Sequence, residues 1–214
     1  MNKPGIFITF EGIDGSGKST QARLLYDLLT KRGYDLTFLR EPGGTKVSEH
    51  IRKILLDRKN DSISPQTELL LYLAARAEVV DKIIAPALAA GRIVVADRFY
   101  DSTFAYQVYG RGLPVRIVRT ANKFASAALT PDLTFLVDLP VRAAQRRLHR
   151  AKDRLEAEGV RFQERVRRGF LQLAQAQPRR IKVLNGGKRI EDIFTQVEER
   201  TIRLLRRRKV EPRA

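Results

Sequence analysis

The 214-residue sequence contains no cysteine, which excludes disulfides, thiolate metal sites and a cysteine nucleophile. Its two histidines, His50 and His149, are too few for an imidazole metal cluster, so any metal must rest on oxygen ligands. Long apolar runs are also missing: the clean run at 6–10 falls far short of the roughly 20 residues a membrane-spanning helix needs. Residues 1–5 lack the basic region, apolar stretch and cleavage site of a secretory signal. The expectation is a cytoplasmic protein with no membrane partner. Without repeats or low-complexity segments, a chain of this length reads as one domain over 1–214. Acidic residues are scarce, 24 Asp and Glu against 41 Lys and Arg, giving a net charge of +17. The excess lies mostly at 142–168 and 203–208, in the C-terminal third. The preferred reading is a solvated basic surface; contact with nucleic acid is the alternative, and is not expected as the function.

Strand and helix signals alternate along the chain. Residues 6–10 read as a buried strand, and Ala22, Leu25, Leu28 and Leu29 then recur at helical spacing. A second β-rich run at 36–39 leads into Pro42-Gly43-Gly44, a loop before a helix near 47–56. Ser64-Pro65 is a helix start, and the apolar pattern runs on to about Ala90, where Gly91 stops it. Strands at 93–96 and 133–137 end at Asp97 and Asp138, with helices over 102–109 and 115–129 between them. A helix from Val141, an arginine-rich stretch over 150–168, a helix to Gln175, a strand at 181–184 and a terminal helix over 190–205 complete the order. This alternation predicts an α/β fold, a five-stranded parallel sheet flanked by helices. Ligands are then expected outside the carboxyl ends of the strands.

The motifs fall at those ends. Gly12-Ile13-Asp14-Gly15-Ser16-Gly17-Lys18-Ser19 satisfies the Walker A pattern with a strand before it and a helix after it. Such a P-loop wraps phosphate with backbone N–H groups from Gly12, Gly15, Ser16, Gly17 and Thr20. Lys18 reaches the β/γ-phosphates, and Ser19 offers its hydroxyl to magnesium. ATP is the expected donor. The loop alone leaves open whether the phosphoryl group goes to water, protein or a small molecule.

Four further strings settle the expectation. They are the extended loop Phe10-Glu11-Gly12-Ile13-Asp14, then Arg40-Glu41-Pro42-Gly43-Gly44-Thr45, Asp97-Arg98-Phe99 with Ala105-Tyr106-Gln107, and Leu70-Leu71-Tyr72-Leu73-Ala74-Ala75-Arg76. Together they resemble the thymidylate kinase family across nearly the whole chain. The resemblance implies transfer of the ATP γ-phosphoryl group to dTMP. It places Asp14 on the sugar 3′-OH, Arg40 on the monophosphate, an aromatic at Tyr72 on the thymine face and Arg76 on its carbonyl edge. Thr103 or Gln107 would line the base and Tyr106 the sugar. Asp97 joins Ser19 as a magnesium residue, and Arg98 lies between the donor and acceptor phosphates. Tyr72 and Phe99 depart from the family's usual phenylalanine and its tyrosine or histidine, without removing a charge.

Residues 150–156 resemble the lid of bacterial members, giving a lid over about 150–162. Some members carry a catalytic arginine in the P-loop, where Gly15 stands here, and others supply it from the lid. This chain fits the second kind, with Arg154 the first candidate and Arg150 the second. Arg146 is an expected neighbour of adenine. The resemblance also implies a homodimer through helices on one face of the sheet. Two alternatives compete. Another P-loop nucleoside or nucleotide kinase is one, though an uncharged nucleoside offers Arg40 and Arg98 no phosphate. A nucleic-acid-associated ATPase is the other, but Asp97 is followed by arginine rather than an acid, and the aromatics do not interleave with the basic runs.

Overall fold

A computed structural model describes residues 5–148 and 153–212. Five strands, β1 (Ile6–Glu11), β2 (Leu36–Arg40), β3 (Ile93–Asp97), β4 (Leu133–Asp138) and β5 (Ile181–Asn185), form one parallel sheet in the order β2-β3-β1-β4-β5. The chain leaves β1 toward one edge and later crosses to the other, so the crevice at the end of β1 is the switch point where such sheets bind ligands.

Alternating side chains of β1 serve two cores. Ile6, Ile8 and Phe10 pack with Leu25 and Leu29 of α1 (Lys18–Lys31) and with residues of the last helix. Phe7 points the other way, against Val79, Val80 and Ile84. Between these lie α2 (Lys46–Leu56), α3 (Pro65–Val79) and α4 (Ala85–Ala89). The long helix expected over 65–90 is continuous but widens into a π-helical turn at Val80–Ile84. Pro86, two residues beyond it, has no N–H to give the ladder. Further on, α5 (Tyr100–Thr103) runs into a second π-helical stretch, Phe104–Gly110, followed by α6 (Val115–Ala125), α7 (Val141–Arg146), α8 (Val160–Ala176) and α9 (Ile190–Arg208). Helix α8 lies hard against the π-helical stretch: a Cβ on Gly169 would sit 2.6 Å from the Tyr109 ring. That contact brings the segment before α8 to the carboxyl end of the sheet.

The arginine excess is largely on the outside. Arg161 and Arg168 of α8, and Arg203, Arg206 and Arg207 of α9, are exposed. No helix among the described residues is long and apolar enough to cross a membrane.

Candidate active site

Two clefts open at the carboxyl end of the sheet, and Asp14 lines both. The first is built on the glycine-rich loop between β1 and α1. Gly15, Ser16, Gly17, Lys18, Ser19 and Thr20 line it, facing Arg147, Gly186 and Lys188. Gly12 sits behind it, under the Val137 carbonyl. Ser16 is buried and its Oγ has no hydrogen-bond partner among the described residues. Gly15 has φ +81°, and a Cβ there would lie 2.3 Å from the Ala144 carbonyl oxygen. This backbone therefore has no room for an arginine at that position. On the far wall the residue lining the cleft is Arg147, whose Nη1 donates to the Gly186 carbonyl at 3.0 Å. The expected Arg146 is not among the residues lining this cleft. The reason is helical phase: Val141 and Ala144 are the buried residues of α7, and Arg147 continues their three-residue spacing.

The second cleft lies beyond Asp14, and seven of the predicted acceptor residues line it: Asp14, Tyr72, Arg76, Arg98, Thr103, Tyr106 and Gln107. One oxygen of Asp14 accepts from Lys18 Nζ and from Arg98 Nη2, both at 2.8 Å. The other faces the Tyr106 hydroxyl at 3.5 Å. Burial alone would raise the Asp14 pKa. The charges of Arg98 and Lys18 override it and hold the carboxyl well below the usual carboxylate range. Arg98 also donates to Ser102 Oγ at 2.9 Å and stacks over the Tyr106 ring. Burial opposes its charge, but Asp14 and the other acids nearby hold its pKa well above the ordinary arginine value.

Arg76 closes the deep end. Its Nε and Nη2 donate to Glu41 Oε2 at 2.9 and 2.6 Å, and its Nη1 donates to Thr103 and Asn122, each at 2.7 Å. Four of the five guanidinium N–H groups are thereby used, leaving one on Nη2. Burial pushes Glu41's carboxyl up, with Arg76 drawing it back.

Arg40 is not where the monophosphate reading needs it. Strand alternation buries Leu39 and Glu41 and turns Arg40 outward, where it pairs with Glu49 at 3.2 Å. A third arginine lining the cleft, beside Arg76 and Arg98, is Arg52 of α2, its Nη1 on the Pro42 carbonyl at 2.9 Å. Burial and the neighbouring Arg40 lower the Arg52 pKa from its ordinary value. The signal was present in the sequence: Ser48, Arg52 and Leu55 share a helix face, and Ser48 and Leu55 are buried.

Arg154 likewise lies on the acceptor side. Its Nε donates to the Leu55 carbonyl at 2.8 Å, and its Nη2 pairs with Glu68 Oε2 at 2.6 Å. A local turn aims it inward: Asp153 Oδ1 accepts from the Glu156 N–H and Glu156 Oε2 accepts from the Asp153 N–H, a reciprocal capping box. Glu68 also takes hydrogen bonds from Gln107 and Arg111, which with Arg154 keep its pKa low against burial. Arg150, the second lid candidate, lies outside the described residues.

At the end of β3, Asp97 Oδ1 is buried with no hydrogen-bond partner among the described residues. Ser19 is exposed on the rim of the first cleft. No group of three or more acidic or imidazole side chains that could hold a metal by itself occurs among the described residues.

The family model for thymidylate kinase matches residues 10–197. A thymidylate kinase of Kosmotoga olearia is 47% identical over 194 residues, covering 90% of this chain and 93% of that protein. One of Desulforudis audaxviator is 50% identical over 183 residues, 85% of this chain and 83% of the relative. The crystal structure of thymidylate kinase from Ehrlichia chaffeensis superposes with a TM-score of 0.77 at 36% identity, covering 92% of this chain and 99% of that one. A P-loop cleft and a second, cation-lined cleft sharing one aspartate, on a parallel sheet with this sequence kinship, place the chain in the thymidylate kinase family.

Proposed function

We propose that the protein transfers the γ-phosphoryl group of ATP to dTMP, giving dTDP and ADP. The observation that carries this reading is Asp14, which borders the P-loop cleft and the acceptor cleft at once and holds one cation from each side. A monophosphate with its phosphate between Arg52 and Arg98 and its base toward Arg76 fits the second cleft. Tyr72 offers the base an aromatic face, and Thr103 and Gln107 its edge. The free oxygen of Asp14 and the Tyr106 hydroxyl are then left for the sugar. Arg52 takes the monophosphate role that the sequence assigned to Arg40.

The acceptor is a phosphate oxygen, already anionic, so no general base is required and the rate comes from positioning and charge stabilisation. Lys18 leaves Asp14 for the β/γ-phosphates when nucleotide binds. Arg98 spans donor and acceptor, offsetting their mutual repulsion. The residues fit a magnesium ion: a buried Asp97 oxygen lacks a partner, and the Ser19 hydroxyl stands at the loop. Asp97 and the Ser19 hydroxyl would hold such an ion, which would supply positive charge to offset that of the transferred phosphate. With Arg154 engaged by Glu68, the lid's charge for the donor phosphates falls to Arg150. Lid closure over 150–162, within a single domain, excludes water and favours transfer over hydrolysis. A cytoplasmic location follows from the nucleotide substrates.

A homodimer is supported by the outer faces of α3 and α6, which pack together through Leu69, Leu73, Val118 and Ala125 yet present Leu70, Ile117 and an 88% exposed Phe124 to solvent. Phe124→Glu is expected to shift the protein from dimer to monomer in size-exclusion chromatography with light scattering; an unchanged mass would remove this face from the interface.

Purified protein with ATP and magnesium, offered dTMP, dUMP, dCMP, dGMP, AMP and thymidine, is expected to form a diphosphate rapidly from dTMP, more slowly from dUMP and negligibly from the rest. Preference for thymidine, or ADP release without acceptor, would overturn the acceptor assignment. With dTMP, Arg52→Ala is expected to raise KM by about tenfold or more, whereas Arg40→Ala stays within about threefold. The reverse pattern would restore the role to Arg40.

A further inference from the structure

Arg98 has φ +74°, a left-handed backbone that non-glycine residues rarely adopt and that surrounding contacts must impose. Its own N–H donates to the Phe10 carbonyl at 2.9 Å. Two further backbone N–H groups of the turn and the Ser102 hydroxyl converge on one side chain outside both clefts. Glu11, 1% exposed, accepts from the Phe99 N–H at 2.8 Å and the Ser102 N–H at 3.3 Å through Oε1. Through Oε2 it meets the Ser102 hydroxyl at 2.6 Å. The same hydroxyl oxygen receives Arg98 Nη1 at 2.9 Å.

We propose that Glu11 is the positioning residue for Arg98: it clamps the backbone immediately after the arginine and, through the Ser102 hydroxyl, orients the guanidinium. This rests on Arg98 acting between the two phosphates. The chemistry of the relay needs a carboxylate. Because an ionised Glu11 can only accept, the Ser102 proton points at Glu11 and the hydroxyl lone pairs are left for Arg98. Glutamine would fill the same space, but its amide N–H would compete for those lone pairs. Burial and the neighbouring Asp101 push Glu11 up to about 8, against the pull of Arg98 and the Ser102 and Phe99 hydrogen bonds, so the relay is complete above that pH and is lost as the carboxyl protonates below it. Asp101 is itself bound by Arg180 at 2.7 and 2.8 Å.

The test compares Glu11→Gln, Ser102→Ala, the double variant and Arg98→Ala in steady-state assays with ATP and dTMP at about pH 9, where Glu11 is ionised, alongside thermal melting and ATP-binding stoichiometry. Glu11→Gln is expected to lower kcat by about 30-fold or more while the KM values stay within about threefold and the binding stoichiometry is unchanged. Ser102→Ala is expected to lower kcat as well, and the double variant to be no slower than Glu11→Gln alone, because both act through one chain. A kcat for Glu11→Gln within about threefold of the parent, multiplicative losses in the double variant, or a loss explained by a smaller binding-competent fraction would overturn the proposal. Slow Arg98→Ala with normal Glu11→Gln removes only the role of Glu11; full activity in Arg98→Ala removes the role of Arg98 itself, and the proposal with it.

Discussion

The carboxylate of Asp14 sits between Lys18 of the P-loop and Arg98 of the β3 turn, and the geometry of both clefts depends on that shared contact. Neither cation could be left buried without an anion near it, and the two repel one another. One oxygen of Asp14 binds both and leaves the other oxygen turned toward Tyr106 and the acceptor cleft. In the proposed function the same carboxylate, which holds both cations here, yields Lys18 and Arg98 to the phosphates when they arrive. Its depressed pKa keeps it charged across the neutral range, so the arrangement does not depend on small changes in pH.

Two buried acids do comparable work at the far wall. Glu41 grips Arg76, and Glu68 gathers Gln107, Arg111 and Arg154. Arg111 reaches on to Glu158 at 2.6 Å, so the chain just before α8 is tied back to α3 through charged groups. Leu155, Asp153 and Leu56 then border the acceptor cleft together. Removing either carboxylate would strand an arginine in the interior, so these pairs specify where the side chains lining the second cleft stand more than they add stability.

Much of this was legible in the sequence. The Walker A string with its strand and helix flanks lines the first cleft, and the alternation of strands and helices predicted the five-stranded parallel sheet. What remained hidden follows from phase and from distance along the chain. In Arg40-Glu41, only knowledge of which side of β2 is buried shows that the acid turns inward and the arginine outward. Arg146 and Arg147 differ by one helical step. Arg52 could have been found from its spacing to Ser48 and Leu55, but no motif drew attention to it. Arg154 stands in an arginine-rich run where composition suggests a mobile cation, while the Asp153–Glu156 capping box sends it to a carboxylate 86 positions earlier. Pairings such as Glu11 with Ser102 and Asp101 with Arg180 join residues separated by 91 and 79 positions. Local pattern carries no trace of them.

The most direct test of the account is Asp14→Asn, assayed for dTMP phosphorylation and for ATP binding by calorimetry. The variant is expected to lose about two orders of magnitude in kcat/KM for dTMP while binding ATP with unchanged or greater affinity, because Lys18 is no longer held by a carboxylate. Parent-like kcat/KM for dTMP, or a defect confined to ATP affinity, would contradict the claim that one carboxylate organises both clefts.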